Sequence, residues 1–182
     1  MIYVALLRGI NVSGKNLLKM EALQRMFIDL GYTNVQTYIQ SGNVVFQSPE
    51  KPNMELESQI QTAIKSSFGY DVPIIVLSAT DLQHIHESNP FIGDLNADSR
   101  KICITILSAT PDPKAIASIK YPDYGTDSFV IGDRAVYIYC PDSLARTKLT
   151  NDFWERKLKL QATSRNLNTI RYLANLVTAM TN

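Results

Sequence analysis

The stretch VQTYIQSGNVVFQ, Val35 to Gln47, reads as two short β-strands joined by a tight turn. Val35–Gln40 and Val44–Gln47 are rich in β-branched and aromatic residues. Ser41-Gly42-Asn43 between them is turn chemistry, because glycine and asparagine tolerate the left-handed backbone that a hairpin needs. Each flank of the hairpin is an amphipathic helix. Upstream, Met20, Leu23, Met26, Phe27 and Leu30 recur at helical spacing, and Gly31 closes them as a C-cap. Downstream, Leu56, Ile60, Ala63, Ile64 and Phe68 do the same and stop near Gly69. The apolar runs Met1–Leu7 and Pro73–Leu77 bracket the set as strands. The order strand, helix, strand, strand, helix, strand predicts a split βαβ unit, the ferredoxin-like arrangement.

The rest of the chain repeats the plan. Thr80-Asp81-Leu82-Gln83 reads as a capping box opening a short helix. Ile102–Leu107 is a strand, Thr110-Pro111 starts a helix, and Phe129–Ile131 and Ala135–Cys140 flank Gly132-Asp133 as a second hairpin. Leu149, Phe153 and Leu158 mark one helix, and Leu167, Ile170, Leu173, Ala174 and Val177 a last one. Only Leu160–Ser164 leaves room for a strand between them. Leu-Ser-Ala-Thr occurs at 77–80 and again at 107–110, each time leaving a strand for a helix. The expected fold class is α+β, with two packed ferredoxin-like halves forming a pseudo-duplicated architecture. Residues 1–78 are one half, and 79–182 the other with an additional C-terminal helix. No Gly-, Pro- or Ser-rich linker separates them, so the junction near 78–90 is expected to be packed.

Composition sets the class. Of 182 residues, 45% are hydrophobic and 19% charged, the balance of an ordinary globular chain. No apolar run approaches the roughly 18–20 residues that span a bilayer, and Arg8 interrupts the only candidate for a leader segment. Cys103 and Cys140 lie in apolar strands and are expected as buried free thiols, in a cytoplasmic protein. Residues 1–20 carry Arg8, Lys15 and Lys19 and no acid, residues 134–182 are also basic, and the middle is acidic. Such a split suits a local anionic ligand better than a broad nucleic-acid surface.

RGINVSGKN, Arg8 to Asn16, has the spacing of a phosphate-binding P-loop but ends in asparagine where that loop needs a hydroxyl. A P-loop also requires a parallel sheet and an acidic residue ending another strand, which the predicted order does not supply. The segment is therefore expected to be something else. In a split βαβ unit the end of strand one and the strand two–three turn share one sheet edge, which places Arg8–Lys15 beside Ser41–Asn43. By the same logic the second half offers ATSRN, Ala162 to Asn166, at its own edge. If the edges face each other, three donor-rich segments without a carboxylate converge. Glycine lets backbone amides approach an anion, Arg165 offers a fork, Lys15 a point charge, and the helix after Asn166 its positive end. The plainer alternative is that Gly and Asn make turns and that Asn166 or Thr163 caps a helix.

Other chemistry is sparse. His84 and His86 are two apart on a helix and diverge, unlike a metal-binding i, i+4 pair. Ser13, Ser41 and Ser164 have no histidine base near them in sequence. GNVVFQS lacks the aromatic-rich signature of an RNA-recognition motif, so Tyr3 and Phe46 are expected in the core.

ALLRGINVSGKN, TYIQSGNVVF, NPF at Asn89–Phe91 and ATSRNLNTI, in that order from Ala5 to Val177, together resemble the bacterial family called domain of unknown function 1697. The resemblance implies a fold similar to the duplicated plan above and no established activity. Its motif positions single out Arg8, Gly9, Asn11, Gly14, Lys15, Ser41, Gly42, Asn43, Arg165 and Asn166, to which the donor chemistry adds Thr163 and Ser164. The expected function is binding of a small anionic ligand, nucleotide-like or phosphorylated, at these segments. The alternatives are phosphoryl or acyl transfer by the same basic residues, and nucleic-acid binding. No cofactor, metal or membrane partner is expected.

Overall fold

The computed structural model describes residues 1–12, 14–93, 98–119 and 125–181. It is a mixed α+β fold with two four-stranded antiparallel sheets, each flanked by helices. The chain divides into two compact units, Met1–Leu82 with Leu173–Asn182, and Gln83–Tyr172. Residues 173–182, expected with the second half, group with the first unit.

The first unit runs β1 (Ile2–Leu7), α1 (Met20–Asp29), β2 (Thr33–Tyr38), β3 (Asn43–Gln47), α2 (Asn53–Phe68) and β4 (Ile74–Ser78). Its strand order is β2-β3-β1-β4, every neighbour antiparallel. Strand periodicity divides β1 between two faces. Tyr3, Ala5 and Leu7 join Val44, Phe46 and Val76 against Leu23 and Phe27 of α1 and Leu56, Ile60 and Ile64 of α2. Val4 and Leu6 on the other face are equally buried, which is why β1 reads as an unbroken apolar run.

Gly31 closes α1 by a Schellman motif. Its N–H donates to Ile28 O at 2.9 Å and that of Tyr32 to Phe27 O at 3.2 Å, with the Phe27 and Tyr32 rings 5.9 Å apart. Gly69, also left-handed, ends α2 by donating to Lys65 O.

α3 (Ala79–Glu87) follows β4 directly, one residue before the expected capping box. The cap is Ser78, whose hydroxyl accepts from Asp81 N–H at 3.0 Å while the Asp81 carboxylate accepts from Ser78 N–H at 3.4 Å. Thr80 lies inside the helix because Ser78-x-x-Asp81 satisfies two orphan donors at once.

The second unit continues with a 3₁₀ turn at Ser99–Lys101, then β5 (Ile102–Leu107), α4 (Pro113–Ala117), β6 (Ser128–Ile131), β7 (Ala135–Tyr139), α5 (Asn151–Leu158), β8 (Ala162–Asn166) and α6 (Leu167–Thr181). Its order is β6-β7-β5-β8, again antiparallel throughout. α4 starts later than expected. Asp112 is its N-cap, accepting from Lys114 N–H at 2.7 Å, and Pro113 rather than Pro111 takes the first helical position. The strand before α6 exists, but two residues beyond the expected place. The core packs Leu107, Val136, Ile138 and Ala162 with Phe153, Trp154 and Leu158. Trp154 is fully buried, with the Phe129 and Phe153 rings both 4.9 Å away. Cys103 and Cys140 are free thiols.

Trp154→Ala is expected to lower stability by about 3–5 kcal/mol in urea denaturation followed by far-UV circular dichroism. Trp154→Phe should recover most of that loss, because the indole N–H has no hydrogen-bond partner among the described residues.

Candidate functional site

Because β1 is central, the chain leaving it emerges between the β2–β3 turn and the start of β4. Leu7 N–H donates to Gly42 O at 2.8 Å and Arg8 N–H to Pro73 O at 2.9 Å. Arg8–Lys15 and Ser41–Asn43 therefore share one edge of the first sheet.

Asn11 ties them together. Its side-chain amide donates to Leu18 O at 2.8 Å and to Gln40 O at 2.9 Å, and its Oδ1 accepts from Leu18 N–H at 2.8 Å. Asn11 is left-handed (φ 53°), as is Asn16 (φ 46°), and Asn16 Nδ2 donates to Gly9 O at 3.0 Å. Lys15 N–H returns to Val12 O at 2.9 Å, closing a small loop within the larger one. At Asn16 the residue type signals more than the lack of a P-loop hydroxyl. Asparagine tolerates positive φ, which this glycine-rich loop requires there.

The hairpin residues divide differently from the expectation. Asn43 is the first residue of β3, fully buried opposite Leu6, and its amide donates to Tyr38 O and Ser41 Oγ at 3.0 Å each. β2 ends at Tyr38 because Ile39 is left-handed (φ 48°), an unfavourable conformation for a β-branched residue. Gly42 is required twice over. It has φ 73°, and a Cβ there would lie 2.7 Å from Ile10 Cδ1 and 2.8 Å from Leu7 Cβ.

The groups of this edge turned to solvent are few. Gly9 (φ 74°) and Gly14 (φ 75°) are exposed, with nothing within 4 Å of where a Cβ would stand. Lys15 is exposed, and no described acid pairs with it. Arg8 is half-buried. α1 begins only at Met20, so Lys15 does not sit at a helix N-terminus as in a P-loop. Ser13 lies outside the described residues.

In the second unit, the edge equivalent in order carries Leu107 opposite Ala162. The start of β8 is there as expected, but Arg165 and Asn166 lie further along it, opposite Ile104 and Cys103, roughly 10–13 Å away at strand rise. Arg165 is buried, and its Nη1 donates to Thr163 Oγ1 and Ser164 O at 2.9 Å each. Burial lowers its pKa to about 10, opposed by the neighbouring Cys103, so it stays cationic at neutral pH. Ser164 Oγ donates to Asn151 Oδ1 at 2.6 Å and shares a hydrogen bond with Thr105 Oγ1 at 2.7 Å. Asn166 Oδ1 accepts from Thr169 N–H at 2.8 Å, capping α6. Thr163 is buried.

His84 Nε2 lies 3.5 Å from Asp133 Oδ2, both side chains largely exposed. Burial, reinforced by Arg171 and opposed by Glu87, pushes His86 below the usual imidazole range. Asn89 of the NPF turn accepts from Phe91 N–H at 3.0 Å. Among the described residues no group of three or more His, Cys, Asp or Glu could hold a metal ion, and no helix is long and apolar enough to cross a membrane.

A family model described as a protein of unknown function (DUF1697) matches residues 1–137, a span that includes the Arg8–Asn16, Gln40–Asn43 and NPF motifs and ends before ATSRNLNTI. No curated protein matches the chain. Among solved structures, the conserved bacterial protein SP0830 from Streptococcus pneumoniae is similar over 96% of this chain and 97% of its own. Identity is 22% and the TM-score 0.75, a likeness of fold.

Gly42→Ala should cost at least about 2 kcal/mol, combining a left-handed alanine with a clash against Ile10 and Leu7. Asn11→Ala should cost about 1–3 kcal/mol by stranding three backbone groups. Urea midpoints check both. Burial holds both thiols at about 11, and holds Tyr137 at about 12 with Asp133 adding to it. The folded state therefore keeps these protons more tightly than the unfolded chain. That stability is complete below about pH 9 and is lost as pH rises through 11 to 12. Urea midpoints should be flat with respect to these groups from pH 7 to 8.5 and fall above pH 9, less steeply in Cys103→Ala.

Proposed function

The chain belongs to the DUF1697 family, and from that premise we propose that it binds a small anionic ligand, nucleotide-like or phosphorylated, at its donor-rich segments. One observation carries the reading. The exposed Lys15 stands in a loop without a carboxylate, directly after the exposed left-handed Gly14 and six residues past Gly9, and both glycines leave room for an anion to reach the backbone. An unpaired ammonium beside backbone amides that an anion can reach is a donor set suited to phosphate.

The structural bonds within the edge sort the roles. Asn11, Gly42 and Asn43 hold it in shape, while Lys15, Gly9, Gly14 and Arg8 are the ligand contacts in this reading. Thr163, Ser164, Arg165 and Asn166 belong to the second unit, where hydrogen bonds within that unit engage them, and they form a separate donor group in this reading. We read the two sheets as a pseudo-duplicated ferredoxin-like architecture. The support is that both run strand, helix, strand, strand, helix, strand, with the first strand between the third and fourth. A cytoplasmic location fits two free thiols.

The test is a thermal-shift screen against nucleotides, sugar phosphates and carboxylates. A ligand at about 100 times its Kd adds about 2.7 kcal/mol, a shift of roughly 5–10 °C for a chain of this size. Lys15→Ala should weaken any hit about tenfold while leaving the unliganded melting temperature unchanged. For Arg165→Ala the unliganded protein must be measured first, since the guanidinium also supports β8. An unchanged affinity in Lys15→Ala rejects the proposal.

A further inference from the structure

A cleft of about 430 Å³ opens in the first unit between α1 and the end of α2, within the range of small-ligand sites. Ala22, Met26 and Phe68 are its apolar lining, and the bases Lys19 and Arg25 line it together with two acids. It adjoins the Arg8–Asn16 loop through the chain itself, since Lys19 lies just past that loop and lines the cleft. Between Lys15 and Lys19 stands Leu17, 66% exposed, with its carbonyl accepting from the Tyr70 hydroxyl at 3.1 Å. Tyr70 is two residues beyond Phe68, so α2's end anchors the segment that leads from the loop to the cleft.

We propose that the ligand is an amphiphilic monoester: an anionic head at Lys15 and Lys19, and an aliphatic tail running past Leu17 into the α1–α2 cleft. This rests on the anion reading of the loop and adds the chemical class of the ligand. Charge sets the direction in which the molecule lies. Inside the cleft Glu21 and Asp29 offset Lys19 and Arg25, so it has no net positive charge to draw a phosphate in. The segment before Met20 carries cations and no acid. A purely polar phosphate leaves the exposed Leu17 and the apolar wall in water, whereas an alkyl chain removes both from it. The occupant is the free, monomeric molecule rather than a lipid surface, because a cleft between two helices admits one chain and not a bilayer.

Calorimetric titration of the full chain with methyl, butyl and octyl phosphate, all below micellar concentration, decides it. Each methylene that enters the cleft should tighten binding by about fourfold, so octyl phosphate is expected to bind at least tenfold tighter than butyl phosphate. Ala22→Phe fills the cleft from an exposed helix position and should cut that advantage below threefold, with methyl phosphate affinity unchanged. Leu17→Ser should act in the same direction and serves if Ala22→Phe proves unstable. Equal affinity along the series, with methyl phosphate still bound, overturns this inference and leaves the anion reading standing. Octyl glucoside binding as tightly as octyl phosphate overturns the head-group assignment. Association with anionic vesicles but not with monomeric octyl phosphate overturns the free-ligand assignment. Failure of every phosphate to bind removes both readings.

Discussion

β1 is hydrogen-bonded along both edges, to β3 and to β4, so nothing at its end can spread sideways. The chain leaving Leu7 is held by Gly42 on one side and Pro73 on the other. A turn residue with a Cβ at position 42 would occupy the space of Ile10, the first core residue of the loop. The central strand, the hairpin glycine and the loop are thus one packing problem. The loop's path follows from the register of β1 rather than from any preference of its own.

Within that path, the asparagines do the work that secondary structure does elsewhere. A loop from Arg8 to Lys19 has backbone groups that no ladder or helix satisfies. Asn11 meets two of them, both on Leu18, and ties in Gln40 O as well, while Asn16 meets one more, each from a left-handed backbone that asparagine accepts at low cost. With shape supplied by side chains that point inward, Lys15 and the two exposed glycines remain outside. A motif with many donors need not turn all of them outward, and here internal bonds engage Asn11 and Asn16 while Lys15 stays exposed.

Much of this was legible because periodicity is a strong signal. Helical spacing locates α1 and α2, and short apolar, β-branched runs locate β1, β5 and the strands of both hairpins. Their order was enough to place the Arg8 loop beside the Gly42 turn. Boundaries decided by a single side chain were not legible. Ser78 and Thr80 are equally good caps on paper, and only the position of Asp81 relative to Ser78 separates them. Pro111 and Pro113 both suit a helix start, but only Pro113 follows a capping aspartate. Asn43 looked like turn chemistry and proved to be a buried strand residue, because its amide serves the turn from within the ladder. Arg165 looked like an available fork. No local pattern announces that a guanidinium will be buried and spent on its own strand.

β8 was the hardest strand to read, since ATSRN has little apolar or β-branched character, and its stabilisation explains why. It is an edge strand paired only with β5, and its first amide is capped from α5, with Ala162 N–H donating to Glu155 Oε1 at 2.9 Å. β4, the corresponding edge of the first sheet, has the same device: Val76 N–H donates to Glu57 Oε1 of α2 at 2.8 Å. A carboxylate on an edge amide makes a charge-assisted bond and blocks strand addition by another chain. Hydroxyl pairing between Thr105 and Ser164 adds a cross-strand contact where a hydrophobic pair would otherwise stand. A strand held by a glutamate from the preceding helix and by a polar cross-strand pair has no need of the composition by which strands are recognised. The same bonds draw Thr163, Ser164 and Arg165 into the fold, so the polar character of ATSRN is first a consequence of how β8 is held.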